Sequence, residues 1–284
     1  MTESDITYFS RGNVSGSFRK EVSEVLNDLY KRFGQRSPYK VEVYTFDTED
    51  NLNSFLREEK FKRGLSFNTV DDAEACTYDV LRGYPRLLIC SGRLARYSKR
   101  GRAGAIRHEA AHTVLHGSLE YNIFQIPEDC RHTAMVKGID NEKLEEVYLQ
   151  LSMGVKDYEA TKLLIEHDFI NCQFAYALEW IQPVEDDRTA WNISKTNRQT
   201  RFVYESSLMR PILFTNPLLS LPKSKNIPNE EHVQLSARIE NMISMLGETE
   251  ENKVLQVAGS IIDALVDDTH KNIDSAFHLL INLV

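Results

Sequence analysis

The sequence predicts an α+β protein in which a lobe of mixed strands and helices is followed by a mainly helical C-terminal region. Three observations lead there. Lys40-Val41-Glu42-Val43-Tyr44-Thr45-Phe46 alternates polar and apolar residues, as a half-buried strand does. Arg86-Leu87-Leu88-Ile89-Cys90 is a short apolar run behind the loop signal Gly83-Tyr84-Pro85, and it reads as a second strand. Apolar residues elsewhere recur mainly at helical spacing, and from Asn141 onward almost all of them do.

Taken in order, Ser17 to Phe33 places Phe18, Val22, Val25, Leu26, Leu29 and Tyr30 on one helical face, and Gly34 ends it. After the first strand, Asp47 to Phe61 reads as a helix capped by Asp47 or Thr48. Beyond the second strand lie Arg93, Arg96, Lys99, Arg100, Arg102 and Arg107. This basic patch reads as a solvated loop, with recognition of an acidic substrate or partner as the sharper alternative. Ser118 to Asp140 is irregular, and Cys130 with His132 is too small a set for a second metal site. Asn141 to Met153 and His167 to Trp180 read as helices. A break at Ile181-Gln182-Pro183-Val184 sets a boundary between residues 1–180 and 181–284. Leu219 to Pro228 is the best linker segment, and Glu231 to Leu246, Asn252 to Val266 and Ile273 to Val284 read as three closing helices. The stripe Val254, Val257, Ile261, Ile262 and Leu265 predicts a bundle or a homodimer surface.

Composition narrows the function. With 284 residues, 42% hydrophobic and 27% charged, the chain can bury a substantial core. A net charge of −8 argues against general nucleic-acid binding. The start, Met1-Thr2-Glu3-Ser4-Asp5, lacks the pattern of a secretory signal, and no apolar run is long enough to span a bilayer. Cys76, Cys90, Cys130 and Cys172 are scattered, so they read as reduced, buried thiols of a cytoplasmic protein.

The stretch that carries chemistry is Arg107-His108-Glu109-Ala110-Ala111-His112-Thr113-Val114-Leu115-His116-Gly117. His108 and His112 are four apart, so on a helix they lie one turn above each other and can aim ring nitrogens at one zinc ion. Glu109, the next residue, is placed to take a proton from water at such a metal. Both intervening positions are Ala, a strong helix former, and Gly117 is a stop signal. His116 lies two turns from His108, roughly 12 Å along the axis, which suits a supporting role better than direct ligation.

This run resembles the active-site helix of the zincin metallopeptidases of the gluzincin branch, and is similar to the small ImmA/IrrE-like peptidases. The metzincin pattern does not fit, because Ser118 stands where its third His would be. The resemblance implies a zincin-like lobe with a small mixed sheet, a zinc cofactor and a peptide or protein substrate. It also implies an edge strand that aligns the substrate by strand addition, with Arg86–Cys90 as the candidate and a plain core strand as the alternative. In gluzincins the third ligand comes from a later helix written Glu-x-x-Ala-Asp. Asp157-Tyr158-Glu159-Ala160-Thr161 resembles it: aligning Ala160 puts Asp157 at the ligand position and Thr161 at the supporting one. Glu159 has the usual side chain but is two positions off register, so one of Asp157 and Glu159 is the expected third ligand. Arg188, Arg198, Arg201 and Tyr204 are the candidates for contacting substrate or oxyanion.

The expectation is therefore a zinc-dependent peptidase with Glu109 as general base, acting on a peptide or protein, with neither nucleic acid nor membrane as partner. The alternative is an inactive zincin-like protein that binds or regulates a partner.

Overall fold

A computed structural model describes residues 4–62, 75–182, 187–222 and 228–283. The elements of the first part are β1 (Asp5–Arg11), α1 (Gly16–Phe33), β2 (Lys40–Phe46), α2 (Glu49–Phe61), β3 (Cys76–Asp79), β4 (Arg86–Cys90), α3 (Ser91–Leu94) and α4 (Lys99–Leu115). There follow α5 (Glu128–Val136), α6 (Asn141–Glu166), α7 (Ile170–Trp180), α8 (Asp187–Ser194), α9 (Arg198–Ser207), α10 (Met209–Leu219), α11 (Asn229–Ser244), α12 (Glu248–Ala264) and α13 (Thr269–Leu280). Two compact units emerge: Met1–Asn122 with Glu166–Tyr176, and Ile123–Ile165 with Ala177–Val284. This division follows packing and differs from the sequence boundary at residue 180.

Among the described residues, the first unit holds a mixed four-stranded sheet in the order β1-β2-β4-β3, with β1, β2 and β4 parallel and β3 antiparallel to β4. Helices cover both faces. Tyr44, Phe46, Leu88 and Cys90 pack with Leu52 and Phe55 of α2 on one face, while α4 lies against β3, β4 and α1. Two-sided cover explains why β2 is buried along most of its length, whereas its alternating sequence predicts one wet face. Glu42 is tolerated there because the Tyr44 and Tyr84 hydroxyls donate to it at 3.0 and 2.8 Å. β1 and β3 carry weak sequence signals. β1 is largely exposed and β3 has four residues, so neither shows a hydrophobic pattern of useful length.

Arg86–Cys90 is corrected from a substrate-aligning edge to an interior strand. β4 lies between β2 and β3, both its hydrogen-bonding edges are paired, and all five residues are buried. Thr48, not Asp47, caps α2 by accepting from the Asn51 amide. The Asp47 carboxylate instead accepts from the Asn13 amide and the Asn51 side chain, both at 2.6 Å.

The second unit is helical among the described residues. Ser118 to Asp140, read as irregular, contains α5, whose start behind Pro127 is favoured by Glu128 and Asp129 in its first turn. α6 runs unbroken through Gly154, where a Cβ would come 3.0 Å from the Arg210 Cα, so the glycine admits α10 at close range. In α12, Val254, Ala258 and Ile261 are buried in a bundle with α10, α11 and α13. Much of the linker read at 219–228 and part of the break at 181–184 lie outside the described residues. No described helix is long and apolar enough to cross a membrane.

Candidate metal centre

The candidate centre is built on α4. Ser98 caps this helix by accepting from the Gly101 amide at 3.0 Å, and the helix ends at Leu115 with His116 as its C-cap. Gly117 lies just beyond, and its need is steric: a Cβ there would meet the Thr113 carbonyl oxygen at 2.1 Å. Gly104 has the same character, since a Cβ would lie 2.2 Å from the Cys172 carbonyl oxygen on α7. Gln173 fixes that approach by donating to the Gly104 carbonyl at 3.0 Å. On the α1 side, Tyr30 and Thr113 share a buried hydrogen bond of 2.8 Å, and Thr113 donates onward to the Ala110 carbonyl at 2.7 Å.

The basic patch largely serves this packing. Arg102 pairs with Glu21 at 3.1 Å, Arg107 with Asp28 at 2.9 Å, and Arg93 with Glu49. Arg107 also lies over the Phe169 ring. Arg93, Arg102 and Arg107 are thus tied into the first unit.

So held, α4 buries a polar row. His108, Glu109, His112 and His116 are each at most 5% exposed. The Nε2 atoms of His108 and His112 are 3.2 Å apart, and Nδ1 of His112 is 3.0 Å from Nδ1 of His116. His116 therefore addresses the nitrogen of His112 turned away from His108, which is where a supporting group would sit. A neutral imidazole has one donor and one acceptor, so one proton in each gap serves the whole chain of contacts. Two nitrogens bound to one tetrahedral zinc at the usual bond length would be about 3.3 Å apart. The observed Nε2 pair fits a metal in place of the proton, and the residues present suit zinc.

Aromatic rings flank the row, and the sequence reading missed them: Tyr121 stands edge-on to His116 at 5.6 Å, and two more lie against the other histidines. Tyr78 of β3 stacks on His112, with centroids 4.9 Å apart and planes 9° from parallel. Tyr176 of α7 stands 5.4 Å from the His108 ring. Tyr78 escaped because its strand is short. Tyr176 escaped because a tyrosine among apolar neighbours reads as core.

The remaining site residues belong to the second unit. Asp157 is buried and its Oδ2 accepts from Arg210 Nε at 2.7 Å. Glu159 accepts from Thr269 Oγ1 at 2.7 Å and from Asn272 Nδ2 at 2.6 Å, which ties α6 to the start of α13. Thr161 is fully buried, and its hydroxyl finds no hydrogen-bond partner among the described residues. Tyr204 donates to the Asp187 carbonyl at 3.2 Å and packs against Trp191. Burial of Tyr204 raises its phenol above the ordinary range.

The chain matches no protein-family model, no curated protein and no solved structure.

Proposed function

We propose that the chain is a zinc-dependent peptidase of the zincin kind. The observation that carries this reading is the buried Nε2 pair of His108 and His112 at 3.2 Å, with Glu109 buried between them in sequence. His108 and His112 are the imidazole ligands, and the sequence register assigns Asp157 as the third. Zinc held this way supplies Lewis acidity toward a substrate carbonyl and toward water. Glu109 takes the proton of the attacking water and passes it to the leaving amine. His116 orients His112 through its Nδ1, and Tyr78 holds the same ring by stacking. β3, at the edge of the sheet among the described residues, takes the substrate-aligning role that β4 lacks. Four buried free thiols support a reducing compartment such as the cytoplasm.

A second reading rests on the Arg210–Asp157 ion pair, which already occupies the register-assigned carboxylate. In that case the chain binds a partner without cleaving it. Metal content and turnover of a peptide pool, measured for wild type, Glu109→Gln, Asp157→Ala and Glu159→Ala, separate the two. The peptidase reading expects one zinc at the histidine row, turnover lost in Glu109→Gln with zinc retained, and zinc lost in Asp157→Ala but kept in Glu159→Ala. Zinc-loaded wild type as inert as Glu109→Gln toward every peptide would overturn it.

A further inference from the structure

A second set of ligand-type side chains converges inside the second unit, and it shares no residue with the histidine row. Asp129 and Cys130 stand in the first turn of α5, and His278 lies near the end of α13. One ligand atom from each falls within 4.8 Å of the other two. Packing accounts for the convergence. Cys130 and Ala134 form the buried stripe of α5, while Ile273, Ala276, Phe277 and Leu280 form that of α13. Lys137, just past α5, donates to the Ile281 carbonyl at 3.3 Å beyond α13. His278 follows Phe277 and so flanks the buried stripe, with its ring reaching Asp129.

The hydrogen bonds of His278 settle its tautomer. Nδ1 lies 2.8 Å from the Asp274 carbonyl oxygen, which can only accept, so Nδ1 carries a proton. The other nitrogen, Nε2, lies 2.9 Å from Asp129 Oδ2, and an ionised carboxylate also only accepts. A lone pair facing a carboxylate requires a cation between them, either a proton or a metal. The proton satisfies His278 and Asp129 and leaves Cys130 no part to play. Yet the Cys130 thiol is 2% exposed beside this gap, and it makes no hydrogen bond among the described residues. A metal ion would engage all three groups. The Asp274 carbonyl then acts as the outer acceptor that ligating histidines commonly have, with the Asp274 carboxylate 3.6 Å from the same nitrogen.

We propose that Asp129, Cys130 and His278 form a second metal site, selective for a borderline divalent cation, with zinc the best match to one thiolate, one imidazole and one carboxylate. Asp129 is 71% exposed at its side chain, so the site opens to solvent and a water completes a four-coordinate shell. Binding releases two protons to solvent, one from the thiol and one from the imidazole–carboxylate gap. The bound ion clamps α5 to α13, which makes the site a structural staple of the helical unit.

Cobalt(II) titration of the full chain tests this, because only a thiolate ligand produces a sulfur-to-cobalt charge-transfer band in the near ultraviolet, and the histidine row contains no sulfur. Wild type should take up one equivalent with that band. Cys130→Ser should lose both, and His278→Gln and Asp129→Asn, which change exposed groups, should weaken the band-forming equivalent at least tenfold. Circular dichroism of the three variants establishes that they are folded. If the histidine-row reading fails instead, cobalt binds only with the band; if the present proposal fails, it binds only without it. A band that survives Cys130→Ser, or a folded wild type that shows none at saturating cobalt, overturns the site.

Discussion

Two buried polar clusters lie on opposite faces of the same sheet, and they resolve burial in opposite ways. On the α2 face, Arg86 is fully buried and forks onto Asp79 through Nε and Nη2 at 2.7 and 2.8 Å, while Nη1 reaches Glu59 at 2.8 Å. Arg82 adds contacts to Glu59 and Glu42. Opposite charges neutralise each other there, and these pairs raise the Arg86 pKa against the lowering effect of its burial. On the α4 face, the row His108, His112, His116 instead sets imidazole nitrogens against one another, at 3.2 Å between the first two and 3.0 Å between the last two. A proton bridges each gap between neutral rings, and the Nε2 pair also has the spacing at which one cation fits in the proton's place. A buried set that closes on itself is architecture. One that sets two ring nitrogens at the spacing of two ligands on one ion is a candidate site.

The sharpest way to break this comparison is Arg86→Met. It takes the buried cation from Asp79 and leaves Glu59 only the more exposed Arg82 and Lys62, and should cost about 3–5 kcal/mol in urea unfolding. Unchanged stability would remove the claim that the α2-face cluster is self-sufficient architecture. Next comes zinc itself. At a hundredfold excess over its dissociation constant it should stabilise wild type by about 2.7 kcal/mol more than His108→Ala/His112→Ala, read as a difference in thermal shift. Equal shifts would mean that the row does not hold the ion. Third, Gly104→Ala should destabilise by about 2 kcal/mol, because its Cβ meets the Cys172 carbonyl and must push α7 from α4. Chemical denaturation measures the loss, and a neutral result would deny that the row depends on this close approach.

The smallest effect is expected at alkaline pH. Burial raises the Tyr30 phenol above its ordinary value, opposed in part by the bond to Thr113. An acid whose folded pKa is raised contributes stability that is present below pH 10 and lost as pH climbs beyond it. Wild type should therefore lose more stability than Tyr30→Phe between pH 9 and pH 11. Parallel pH profiles would show that Tyr30 does not couple α1 to α4 in this way.

Much of the architecture is legible in local pattern. The β2 and β4 segments, the α1 helix with its Gly34 stop and the run from His108 to Gly117 depend on residues close in sequence, whose spacing dictates which side chains share a face. β1 and β3 are not legible, because a mostly exposed strand and a four-residue strand leave little hydrophobic signature. Nor is the edge position of β3, since strand order depends on which partners are present rather than on any strand alone.

The sequence by itself determined that two imidazoles and a carboxylate lie within one helical turn, because an α-helix repeats every 3.6 residues whatever surrounds it. Only the tertiary structure decided that this turn is buried, that Tyr78 and Tyr176 flank it, and that His278 meets Asp129 and Cys130 across 149 residues of separation between His278 and Asp129. Those meetings are set by which apolar stripes pack together. A stripe records that a face is buried, but not against what.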